Sequence, residues 1–178
     1  DARCTIENLY ISGLTPGTTG FNLGIQLNKS NHSRVDNCTI DSVYGTSGSF
    51  GYGVVCHGEH ITIANTRVLA TISGQGRHAF YLTSSPSYVT VDNCYAEDFQ
   101  SEPFTTNIGS GGVGLAFLNC IAKDCMKNST GTHDAVFAFH GGSKGRISNC
   151  RMYGETSASD NFGVTVKDHD HAIVDNVY

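Results

Sequence analysis

One short motif recurs along all 178 residues: an apolar residue, any residue, Asn, then a Cys, Thr or aliphatic residue. It reads Ile6-Glu7-Asn8-Leu9, Val35-Asp36-Asn37-Cys38, Ile63-Ala64-Asn65-Thr66 and Val91-Asp92-Asn93-Cys94. It continues as Phe117-Leu118-Asn119-Cys120, Ile147-Ser148-Asn149-Cys150 and Val174-Asp175-Asn176-Val177. The seven asparagines stand 29, 28, 28, 26, 30 and 27 residues apart, a mean of 28. A period of this length marks a repeat architecture, in which each unit buries its apolar face only against its neighbours.

Within a repeat the apolar period is two. Ile61-Thr62-Ile63, Val89-Thr90-Val91 and Leu115-Ala116-Phe117 alternate as short strands do. After the Asn an inward apolar residue follows: Ile40, Val68, Ala96, Ala122 or Met152. A second strand precedes most asparagines, as Gly24-Ile25-Gln26-Leu27, Gly53-Val54-Val55-Cys56, Ala79-Phe80-Tyr81-Leu82, Val136-Phe137-Ala138-Phe139 and Gly163-Val164-Thr165-Val166. Before Asn119 the best match is Phe104-Thr105-Thr106-Asn107. Three short strands per 28 residues, with no helical pattern, imply an all-β parallel solenoid of about six coils. Stacked at about 4.8 Å per coil, it would be a rod roughly 30 Å long. Residues 1–178 then form one domain. A β-sandwich would not demand Asn at one fixed phase.

The Asn row has a structural reading. Asn tolerates left-handed backbone at a bend, and its amide can bond the Asn of the next coil. The Cys positions of the same row share their phase with Leu9, Thr66 and Val177, which implies small buried residues. Stacked with parallel side chains, Cys94 and Cys120 would have poor disulfide geometry. No CxxC pair occurs among the seven cysteines, so zinc is not expected. A thiol-rich interior suggests folding in a reducing compartment before export or release. Eleven basic against sixteen acidic residues, net −5, argues against a nucleic-acid partner. No apolar run approaches a membrane-spanning length.

The Asn-Cys coils, typified by Val89-Thr90-Val91-Asp92-Asn93-Cys94 and Gly24-Ile25-Gln26-Leu27, resemble the pectin-lyase-like right-handed parallel β-helix superfamily. Its members include pectate lyases, polygalacturonases and bacteriophage tailspikes. The resemblance covers nearly the whole chain but is architectural. It implies a binding cleft along the outside of the first strand of each coil. The chain shows neither the acidic cluster with a basic partner of calcium-dependent lyases nor an Asp-Asp doublet. It also begins and ends inside a repeat, so it is expected to be a segment of a longer protein, most like a tailspike. That resemblance further implies a homotrimer, in a virion or outside the cell.

Strand alternation places Gln26, Asn28, His57, Tyr81, Thr83, His140, Thr165 and Lys167 on the outer face, a polar stripe suited to sugar hydroxyls with Tyr81 as a stacking platform. The stripe itself holds no carboxylate. A glycosidase needs two, roughly 5 to 9 Å apart, so they would come from loops. Asp98 and Asp124, each five residues after its Asn, are candidate catalytic partners, with Glu97 and Glu102 nearby and Asp134 and Asp160 as weaker alternatives. Lys167-Asp168-His169-Asp170-His171 looks like a metal-binding run, but in a turn such residues more often face solvent, and no metal or other cofactor is expected. Ice binding is excluded, because the outward row Arg34, Thr62, Thr90, Ala116, Arg146 is not a Thr array. The expected function is recognition, and in its enzymatic version depolymerisation, of a bacterial surface polysaccharide by a hydrolase or lyase. The alternatives are a non-catalytic shaft and, third, an extracellular polysaccharide lyase or epimerase.

Overall fold

The computed structural model describes residues 3–14, 20–45, 49–70, 76–107, 112–126, 135–154 and 162–178. Their strands form three parallel sheets and no helix. The leading sheet holds the seven strands that run into the Asn motif, from Thr5–Glu7 to Ile173–Asp175. The trailing sheet holds six short strands that follow the Asn, from Tyr10–Ile11 to Arg151–Tyr153. The long-strand sheet is built from Gly20–Asn28, Ser49–His57, Gly76–Thr83, Phe104–Asn107, Ala135–Ser143 and Phe162–Asp170. Each strand pairs with its counterpart in the preceding and following coils, so the chain is a parallel β-solenoid with a period of about 28 residues. It makes about five turns, slightly fewer than the six coils expected: two of its three sheets stack six strands, separated by five steps. Phe104–Asn107 is the long strand of its coil, as its sequence suggested.

Three rows of left-handed residues turn the chain at the corners. The Asn row has φ values of 49° to 56° at Asn8, Asn37, Asn65, Asn93, Asn119, Asn149 and Asn176. A second row comprises Gly13, Ser42, Asp98, Asp124 and Gly154, and a third His32, His60, Tyr88, Gly114, Lys144 and His171. At the first corner, the Asn65 N–H donates to the Asp92 carbonyl of the next coil at 3.1 Å, while the Asn93 amide donates back to Asn65 Oδ1 at 2.8 Å. The amides are exposed, not buried, and the ladder is not purely Asn. Asp36 accepts from Asn65 at 2.8 Å and Asp92 from Asn119 at 2.7 Å. The third corner carries stacked rings: His32 on His60 at 4.7 Å and His60 on Tyr88 at 4.9 Å.

Inward side chains stack by type along the axis. Phe80, Phe104 and Phe137 lie at centroid distances of 5.0 and 4.9 Å, with Phe117 against Phe104 and Phe139. Cys38, Cys94, Cys120 and Cys150 are buried free thiols in one row. They donate to backbone carbonyls, as Cys94 does to Asp92 O at 3.3 Å. Burial pushes the Cys94, Cys56 and Cys125 thiols up to about 12, so they stay protonated and inert.

Candidate functional site: a concave face on the long-strand sheet

Two outward rows cross the long strands. Registration aligns Gln26, Val55, Tyr81, Thr105, Ala138 and Thr165 in one, and pairs Asn28 with His57, Thr83 with Asn107 and His140 with Lys167 in the other. The structure therefore brings all eight stripe residues to one face. It does not bring them to one site. Gln26, His57, Tyr81 and Thr83 line a concavity of about 470 Å³ over the first three long strands, whereas His140, Thr165 and Lys167 lie farther along the axis.

Simple alternation does not account for the rest of that concavity. Ile25, Val54 and Phe80 point inward, yet the adjacent row of Gly24, Gly53 and Ala79 is also turned toward the core. A Cβ on Gly53 would stand 2.5 Å from the Ala79 carbonyl oxygen and closer still to Val68. Two successive inward rows break the period of two, so Tyr52 emerges on the outer face, with Leu23 beside it. The register shift between Gly51 and Tyr52 marks the same irregularity. Alternation alone puts Tyr52 inside with Val54, which is why sequence reasoning missed it.

The emerging rings form one cluster. Tyr52 stacks on Tyr81 at 5.5 Å, His78 stacks on Tyr81 at 4.9 Å, and Phe21 tilts against Tyr52 at 5.8 Å. Arg77 lies with its guanidinium carbon 4.4 Å over the Phe50 ring, and both residues line the concavity. Desolvation raises the Tyr52 phenol pKa, opposed by the nearby Arg77 charge. The Tyr52 hydroxyl therefore stays neutral, a donor as well as an acceptor.

A carboxylate does reach this face, contrary to the stripe as read from alternation. Glu102 precedes its strand and is only 7% exposed. Its Oε1 lies 2.7 Å from His140 Nε2, and its Oε2 accepts from the Thr105 hydroxyl at 2.7 Å. Its carbonyl lies 2.6 Å from His78 Nδ1, which must carry the proton to make that bond. Burial alone would raise the Glu102 pKa; the His140 bond and charge outweigh it and bring the group below the ordinary glutamate value. Burial drives His78 down to about 4, so it is a neutral ring at pH 7. Glu102 thus ties three coils together beneath and beside the aromatic cluster.

The loop carboxylates occupy other places. Asp98 and Asp124 sit in register at the second left-handed corner, their N–H groups donating to Lys123 O at 3.2 Å and Tyr153 O at 2.8 Å. The Asp124 carboxylate packs over Gly154, where a Cβ would collide with it. Glu97 faces outward on the trailing sheet, bound to Lys123 at 2.7 Å, Tyr95 at 2.8 Å and Arg67 at 3.3 Å. The Lys123 bond leads in holding its pKa low. None of these three lines the concavity. Asp134 and Asp160 lie outside the described residues. The Lys167–His171 run is split: His169 stacks on Phe139 at 4.9 Å, while His171 and Asp170 are exposed and pair at 3.0 Å. Among the described residues no three His, Cys, Asp or Glu side chains are grouped to hold a metal ion.

What the face can do chemically is present aromatic planes, hydroxyls and amides, with one guanidinium, over about two inter-coil steps. Compared with known protein families and with curated proteins, the chain matches no family model and no curated protein.

Proposed function

We propose that the concave long-strand face is the recognition surface of a tailspike-like β-helix and binds a bacterial surface polysaccharide. The observation that carries this reading is the concavity of about 470 Å³, in which Tyr81 and Tyr52 lie among Gln26, His57, Arg77 and Thr83. Aromatic planes take the apolar faces of sugar rings, while convergent polar groups take their hydroxyls. The concavity crosses three successive long strands, so a ligand seated in it would touch residues of three coils at once. Binding is favoured over cleavage: among the described residues lining the concavity none is a carboxylate, and glycoside hydrolysis needs two.

The test is a binding survey of immobilised bacterial polysaccharides with the purified chain. Tyr81→Ala should weaken retention about tenfold, the loss of one stacking platform. Retention of no polysaccharide, or equal retention by wild type and Tyr81→Ala, would overturn the reading. Assaying the same mixtures for new chain ends tests depolymerisation. Unchanged cleavage in both Asp98→Asn and Asp124→Asn would remove that pair from any catalytic role.

A further inference from the structure

We infer that the sugar residue seated in the concavity is anionic, with its carboxylate or sulfate ester held by Arg77. This deepens the glycan-binding reading and rests on it. The protein carries a net charge of −5, yet among the described residues the one permanently charged side chain lining the concavity is the Arg77 guanidinium. Among the described residues no carboxylate stands within 4.0 Å of it. Glu102, a buried carboxylate of the same face, is already committed to His140 and Thr105.

The way Arg77 is held matters as much as its charge. Phe50 covers one face of the guanidinium at 4.4 Å. A guanidinium is weakly hydrated on its faces and carries its N–H donors along its edge. Stacking on Phe50 therefore uses the surface that water serves poorly; an edge N–H is turned to the Tyr52 hydroxyl, and the other edge donors are left for a ligand. A planar fork with fixed orientation matches the two oxygens of a carboxylate, or two of a sulfate, in a bidentate pair. A neutral sugar would bury part of this charge without replacing its hydration. The site thus discriminates by what it leaves unpaired, as well as by what it binds.

The other polar groups of the concavity fit the same ligand. Gln26 and Thr83 are neutral, and the Tyr52 hydroxyl, beside Arg77, can donate to an anion. Tyr81 and Tyr52 supply the planes on which the ring of that residue would lie.

The experiment sorts the polysaccharides retained by wild type and then modifies them. Those retained should carry uronate carboxylates or sulfate esters. Carboxyl reduction or desulfation of a retained polymer should lower its affinity about tenfold, and whichever treatment does so identifies the anion. Arg77→Gln should lose a comparable factor for the untreated polymer and nothing for the treated one. Arg77→Lys, which keeps the charge without the fork, should fall between; thermal melts of both variants verify folding. Retention of neutral polymers only would overturn the anionic inference while leaving glycan binding intact. So would retention of anionic polymers with equal affinity by Arg77→Gln. Retention of nothing would remove the glycan reading itself, and this inference with it.

Discussion

Asn93 holds a φ of 49° and spends its amide on Asn65 in the neighbouring coil. Its two contributions can be separated. Left-handed backbone costs a residue with a Cβ about 1–2 kcal/mol, and glycine almost nothing. Asn93→Ala should therefore lower stability by about 1–2 kcal/mol in urea titration, and Asn93→Gly by less. Equal losses would show that the amide ladder outweighs the backbone. His78 makes a different residue-scale prediction. Its folded pKa of about 4 lies below the unfolded value of 6.5, so the unfolded chain binds the extra proton between these values. Stability should fall as the pH drops from 6.5 toward 4, by about 3 kcal/mol from this ring. Glu102, whose folded pKa is lowered, adds a further loss below the ordinary glutamate value of 4.5. Urea midpoints measured across this range should show a shallower decline between pH 6.5 and 4 in His78→Gln.

At the scale of the strand, the inward row of Gly24, Gly53 and Ala79 does two things at once. It lets the trailing-sheet side chains Ile40 and Val68 approach the long strands, and it turns Tyr52 outward. Gly53→Val would fill space already taken by Val68 and the Ala79 carbonyl. Overpacking of this kind costs about 1–3 kcal/mol. It should also displace Tyr52, so polysaccharide affinity should fall with stability. Thermal melts and binding on the same variant check both, and a variant that melts earlier yet binds normally would uncouple the row from the site. Phe104 is the contrasting case, a fully buried ring between Phe80 and Phe137. Phe104→Ala should cost about 3–5 kcal/mol through the cavity it leaves.

For the whole molecule, the solenoid makes every coil depend on its immediate neighbours, through sheets, corner rows and core stacks in the same register. The concavity spans three coils and its Glu102 support reaches the fifth, so the site depends on a run of five adjacent coils. Much of this was legible in the chain. The 28-residue period, the Asn turn, the inward Cys row and the strand at Phe104–Asn107 follow from equivalent residues facing equivalent environments. Four stripe residues of the concavity, Gln26, His57, Tyr81 and Thr83, came from alternation alone.

Other members of the site were not legible, for physical reasons that differ. Tyr52 required a slip in alternation that occurs only because Gly24, Gly53 and Ala79 leave room for side chains of another sheet. Glu102 was named among the loop carboxylates near Asp98 and Asp124, but its place beside this face was not legible, because its partner His140 is 38 residues away, more than one period. Asp98 and Asp124 share a phase as expected, but that phase is a left-handed corner away from the concavity. By itself the sequence determined the repeat, because a solenoid's period and inward rows are local patterns copied from coil to coil. Only the tertiary structure decided which outer residues meet, because the departures from that pattern depend on contacts between sheets, and those create the site.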